Sequence, residues 1–222
     1  LQEVNQLAEN TRLLLKRYTE LSRFSPDNRV HAVVLQKVAP FFHRFPYTRE
    51  QYCEMLHEAI PKCASWLGLH VGSVNPFFTN PDRFTKEYCD ELARNAEEKG
   101  AKQYRLLIID AKILKDLPKY IPAYQSMSRG VTTFWIDATN FEREYGKLAG
   151  IMHDRALFDK SIVLQFNRNA SVMDILFDDE QFQYMQQLMG AVERRHENGD
   201  NRMLFRTLDE LDTSPHSRAA NA

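Results

Sequence analysis

The sequence predicts an α/β fold: a mixed sheet flanked by helices and preceded by an N-terminal helical segment. From Gly68 onward short apolar runs such as YRLLIID and VTTFWID alternate with longer stretches of helical period. Those runs are apolar at consecutive positions, as strands covered on both faces are. Ahead of Gly68 the periodicity is that of three helices.

The first helix carries Val4, Leu7, Thr11, Leu14, Tyr18 and Leu21 at alternating steps of three and four, a heptad seam with Leu7, Leu14 and Leu21 as its spine. Ala8 and Leu15 widen the stripe, so it suits either a homodimer interface or docking on the chain's own core. Ser25, Pro26 and Asp27 end this helix. Asp27 caps a second, with Val30, Val33, Val34 and Val38, closed by Pro40 and Pro46. Thr48 and Gln51 form a capping box for a third, whose stripe runs Tyr52, Met55, Ala59, Ile60, Cys63 and Trp66, with Pro61 expected to kink or end it.

After Gly68, LHVGSVNPFF reads as a strand entering an Asn/Pro-rich loop, and PDRFTKEYCDELARNAEEKG as a helix stopped by Gly100. YRLLIID is a strand, followed by a Pro-interrupted helical stretch from Ala111 to about Ser128. VTTFWID is the next strand, and Thr139 with Glu142 forms a second capping box for a helix ending near His153. SIVLQFN and VMDILFD pair across the turn Arg168 to Ser171, and Asp178 caps a long helix from Asp179 to about Glu197. The expected organisation is a helical segment over 1–67, an α/β domain over 68–212, and a disordered tail over 213–222, where no apolar period remains.

The chain of 222 residues carries 29 basic and 30 acidic residues, a net charge of -1, and so lacks the electropositive footprint of a nucleic-acid binder. No apolar run approaches the roughly 20 residues of a bilayer span. Three cysteines make no disulfide framework, so a reducing cytoplasmic setting is expected. The start at Leu1, with no leader pattern after it, reads as a cut or processed end.

Four groups of residues invite a chemical reading. Asp110 and Asp137 close two strands at the carboxyl edge, where ligands of open sheets bind; together they suit a magnesium ion, and singly each suits a helix cap. Arg105, Arg129 and Arg168 are candidates for holding an anionic ligand, because guanidinium recognises oxyanions bidentately. Cys53, His57, Cys63 and His70 offer zinc-type donors, but without the tight pairs of structural zinc sites, and Cys63 also belongs to an apolar stripe. Cys89 is flanked by Asp90 and Glu91, which disfavour a thiolate. No metal or cofactor is therefore expected, magnesium being the alternative.

The order LHVGSVNPFF, FTKEYCDELARNAEEKG, YRLLIID, GVTTFWID, DKSIVLQF, VMDILFD and a closing helix resembles a phospholipase D-like half-domain over about Gly68 to Glu197. In that family the catalytic letters are His-x-Lys-x4-Asp, usually followed by Gly-Ser-x-Asn. Here His153 is followed by Arg155, and Asp159 stands one place short of the motif's acid, where a one-residue slip on a strand reverses the face. Gly72, Ser73, Val74 and Asn75 spell the second motif, but ahead of the histidine. The resemblance thus implies a catalytically degenerate copy, which in this family acts as a regulatory or sensor module for a partner protein or small anionic ligand. The alternative is a phosphoesterase or nuclease with a rearranged site at His153, Arg155 and Asp159, or at Asp110 and Asp137.

Overall fold

A computed structural model describes residues 12, 47–48, 56–57, 59–71, 83–110, 112–114, 116–146, 154–160, 162–167, 172–176, 179–199 and 205–208. Its strands are β1 (Tyr47–Thr48), β2 (Ser65–Val71), β3 (Lys102–Ile109), β4 (Thr132–Asp137), β5 (Asp154–Phe158), β6 (Ile162–Asn167), β7 (Val172–Leu176) and β8 (Arg206–Thr207). Its numbered helices are α1 (Arg83–Lys99), α2 (Ile121–Ser126), α3 (Ala138–Tyr145) and α4 (Asp179–Asn198). The strands form one mixed sheet in the order β1-β7-β6-β5-β2-β3-β4-β8.

β2, β3 and β4 are parallel, joined through α1 and α2. After α3 the chain returns to the far side of β2, where β5 pairs antiparallel, and β6 and β7 continue as a meander. Two-residue strands close the order at both ends: β1 on β7 and β8 on β4. Short covered edges of this kind limit unwanted pairing with other chains.

The pleat sends alternate residues to two cores. Trp66, Leu107, Ile109, Trp135 and Phe158 pack with Tyr88, Cys89 and Leu92 of α1 and with Ile121 and Tyr124 of α2. Leu67, Leu69, Leu106, Ile108, Phe134, Ile136 and Leu157 pack on the other face with Phe141 of α3 and Met185, Leu188 and Val192 of α4. Both faces of the central strands are covered, which is why those strands read as continuous apolar runs. α1 stops at Gly100 (φ 65), whose N–H bonds Ala96 O at 3.0 Å. Gly130 (φ 68) lies so close to α1 that a Cβ there would sit 2.8 Å from Ala93 Cα.

Four element boundaries depart from the sequence reading. Helical structure near Ala59 gives way to a 3-10 turn at Ile60–Lys62, and β2 starts at Ser65, not after Gly68. Pro61 removes a backbone donor, and the Trp66 ring lies across Gly68 as a strand neighbour. Thr48 pairs with Val172 in β1 instead of opening a helix. The cap of α3 is Asp137, two residues before Thr139, and the helix ends at Gly146 (φ 89), well short of His153. Asp154–Phe158, to which the sequence reading assigns no element, is a strand, turned into β6 by Asp159 and Lys160 at φ 47 and 55. Positive φ at both positions matches the twist of a tight hairpin. The heptad seam of Leu7, Leu14 and Leu21, and the tail over 213–222, lie outside the described residues. Among the described residues no helix is long and apolar enough to cross a membrane.

Candidate functional site

β5 joins the sheet where β2 ends, with Leu69 opposite Arg155. Its first two side chains go to opposite faces. On the α1 side, Asp154 Oδ1 accepts the Val71 N–H at 3.1 Å, and Oδ2 lies 3.5 Å from His70 Nδ1. On the α4 side, Arg155 is 4% exposed, with Nε donating to Gln165 Oε1 at 3.0 Å and Nη1 donating to Gln181 Oε1 at 2.6 Å. β6 sets Gln165 directly opposite Arg155, and the first turn of α4 brings Gln181 over both.

Tyr184, one turn along α4, completes this cluster. Its hydroxyl is buried and has no hydrogen-bond partner among the described residues. Burial pushes the phenol well above its ordinary value, with the positive charge of Arg155 pulling the other way, so it stays a proton donor. An aromatic row leads away from it. Phe141 meets Tyr184 edge-on at 6.5 Å and Tyr145 at 5.2 Å, and Tyr145 stacks on Phe205 at 5.5 Å. Burial, aided by the charge of Glu144, holds Tyr145 up at about 12.

The structure does not gather the residues singled out from the sequence into one site. Asp159 lies four residues from Arg155, roughly 13 Å along a strand. Its Oδ1 accepts the N–H groups of Ala64 (2.8 Å) and Ser65 (2.9 Å), where it closes the start of β2. His153 and Arg168 lie outside the described residues. Arg105 is fully buried beneath α1, donating to Met127 O (2.9 Å) and Ser128 Oγ (3.2 Å), with its guanidinium 5.9 Å from the Trp66 ring. Arg129 is exposed and held bidentately by Glu97, at 2.9 and 3.1 Å.

Asp137 caps α3, and Asp110 closes a turn. Asp110 accepts the Lys112 N–H at 2.9 Å. Asp137 accepts the Asn140 N–H at 3.0 Å, and Asn140 Nδ2 reaches its second oxygen. Asp137 is the register partner of Ile109, so Asp110 falls one residue out of phase with it. Of the zinc-type donors, Cys53 lies outside the described residues. His57 stands between Glu87 (3.8 Å) and Glu91 (3.6 Å), while His70 faces Asp154. Cys63 is buried against Asn95, and burial pushes its thiol up to about 12. Burial likewise raises the thiol of Cys89. Among the described residues no three His, Cys, Asp or Glu side chains are placed to share a metal.

A cavity of about 280 Å³ opens at the other end of the sheet, by the amino ends of β3 and β4, lined by Lys102, Tyr104, Thr132, His196 and Glu197. Lys102 and Glu197 pair there at 2.7 Å and cancel each other's charge. The cluster around Arg155 is the better candidate, because its charge is buried at the carboxyl edge of β2, where α/β sheets bind ligands.

The sequence reading missed Gln165, Gln181 and Tyr184. Gln165 carried a signal, a polar side chain within the apolar strand SIVLQFN. Gln181 and Tyr184 carried none, since polar residues on a helix are ordinarily solvated. Comparison with protein-family models, with curated proteins and with solved structures finds no match.

Proposed function

We propose that the chain is a non-catalytic recognition domain of phospholipase D-like architecture, which binds a small anionic ligand at Arg155 and acts as a regulatory sensor. The observation that carries this reading is the buried guanidinium at the carboxyl edge of β2, whose donors include bonds to the amide oxygens of Gln165 and Gln181. A guanidinium suits recognition of an oxyanion, and the carboxyl edge of a sheet is where such ligands bind. The acid that the phospholipase D motif would need is engaged elsewhere, with both of its described bonds made to the backbone of residues 64 and 65. The heptad pattern of Leu7, Leu14 and Leu21 is the proposed route by which occupancy reaches a partner copy.

The rival reading is a phosphoesterase, and what favours it is His70 beside Asp154, an imidazole oriented by a carboxylate as a general base requires. Two measurements separate the readings. Melting the protein in phosphate, sulfate or acetate against chloride should give a saturable rise with at least one anion, while a generic phosphodiester reporter is not turned over. Hydrolysis that disappears in His70→Ala or in His153→Ala overturns the recognition reading in favour of the enzyme. A chain indifferent to every anion has no site at Arg155.

A further inference from the structure

We infer that the cavity at the amino ends of β3 and β4 is a second binding site, whose ligand is a small α-amino acid in its zwitterionic form. It lies at the opposite end of the sheet from Arg155 and works independently of it.

The fold brings the walls of this cavity together from a sheet edge and a helix end. Lys102 and Tyr104 are two apart on β3 and so share a face, and the register sets Thr132 of β4 opposite Tyr104. α4 packs on that face, and its last turn brings His196 and Glu197 to the same space of about 280 Å³. The His196 ring meets the Tyr104 ring edge-on at 5.5 Å.

Tyr104 supplies a polar group that is buried and unengaged. The residue is 2% exposed, yet among the described residues its hydroxyl makes no hydrogen bond. The charges of Lys102, Glu193 and Glu197 all act on this phenol, which puts its hydroxyl at the cavity end of the side chain and not in the apolar core. Burial raises the phenol above its ordinary value, so at neutral pH it is a proton donor. A hydroxyl shut away without a partner costs free energy that an entering acceptor recovers.

The ion pair at the mouth decides the charge of the ligand. Lys102 Nζ and Glu197 Oε1 lie 2.7 Å apart, and their mutual hydrogen bond raises the pKa of the lysine and lowers that of the acid, so both are charged at neutral pH. A ligand of one sign meets an attraction and a repulsion of similar size at that wall. A ligand of both signs meets two attractions by lying antiparallel to the pair, without breaking it. The ammonium nitrogen and carboxyl carbon of an α-amino acid are about 2.5 Å apart, a spacing close to that of the pair. Its carboxylate then faces Lys102 and the Tyr104 hydroxyl, and its ammonium faces Glu197. A space of about 280 Å³ is at the low end for small-molecule pockets, which restricts the side chain to a compact one. Both partners of the pair are about half exposed, so screening keeps the affinity in the millimolar range.

The test is titration of the isotope-labelled full chain with L-alanine, acetate, ethylammonium and glucose at neutral pH, followed by backbone amide NMR shifts. L-alanine is expected to move the amides of Lys102, Tyr104, Thr132 and His196 saturably, and to bind about fivefold tighter than each of the other three. Tyr104→Phe should weaken alanine about fivefold through one lost hydrogen bond. Glu197→Gln, an exposed position at the end of α4, should weaken alanine by a similar factor and tighten acetate, because Lys102 is then left without its anion. Acetate or ethylammonium matching alanine on the wild-type chain overturns the inference, since a single charge would then suffice. Glucose matching it does the same, since charge would then not be read at all. Alanine affinity unchanged in either variant, or no saturable shift at these amides, also overturns it. None of these results bears on anion binding at Arg155.

Discussion

Asp159 offers the sharpest separation between a structural acid and a chemical one. Its Oδ1 accepts two backbone N–H groups at the start of β2, while its own N–H donates to Ser65 O at 2.9 Å. Bonds to a charged acceptor contribute about 1.5–3 kcal/mol each when buried. Here Ala64 is exposed and Ser65 half-buried, so water recovers much of that, and about 2 kcal/mol remains for the pair. A residue with a Cβ held at positive φ adds about 1 kcal/mol of strain that Asp and Asn tolerate better than Ala. Asp159→Ala is therefore expected to cost about 3 kcal/mol, Asp159→Gly about 2, and Asp159→Asn under about 1, since Asn keeps the acceptor and the backbone preference. Urea unfolding at neutral pH, followed by tryptophan fluorescence, reads all three. Equal stability of the Ala and Asn variants would refute the argument, because the carbonyl-type acceptor would then contribute nothing.

The same residue sets a pH dependence whose sign differs from that of an ordinary salt-bridged acid. Burial raises its carboxyl above the usual 3.8, and the bonds from Ser65 and Ala64 only partly oppose this. A group whose folded pKa exceeds its unfolded one favours the fold while protonated. Its contribution is complete below 3.8 and declines as pH rises through the folded pKa. Asp159→Asn lacks this decline, so its stability relative to wild type should improve between acidic and neutral pH. A difference that is flat, or that moves the other way, places the raised carboxyl in error.

Two further substitutions probe the frame. Gly130→Ala must place a Cβ 2.8 Å from Ala93 Cα at φ 68, and should cost about 2 kcal/mol or more in the same unfolding assay. Asp137→Ala removes the α3 cap and should cost about 1 kcal/mol, with Asp137→Asn nearly neutral. Magnesium should leave the melting temperature of both wild type and Asp137→Asn unchanged; a shift present only in wild type would restore the magnesium site at the strand ends.

The mixed sheet was legible because β3 and β4 are covered on both faces and so spell YRLLII and TTFWID, apolar runs whose shortness and β-branched and aromatic content favour strands over helices. α1 was legible from its period and from Gly100. What the sequence hid was β5. DRALF is short, opens with two charged residues, and shows its alternation over only five positions. Two of those residues are polar because they hold bonds across the sheet: Asp154 to β2, and Arg155 to β6 and α4. The candidate site was hidden for the same reason. Its members come from β5, β6 and α4, and only the pairing register brings them together.

Register is also what connects Asp159 to a site it does not touch. Asp154 and Arg155 are consecutive, and each suits only one face: Asp154 beside His70 and the Val71 N–H, Arg155 beneath Gln181. A slip of one residue in the pairing of β5 with β2 would drive the guanidinium into the apolar core under α1 and α2 and turn the carboxylate toward α4. The turn at Asp159 and Lys160 is the nearest fixed point against such a slip, because Asp159 is tied to β2 through both its side chain and its backbone. Relative to the phospholipase D motif, the acid of this chain stands one residue early. At that place it anchors the hairpin that aims Arg155.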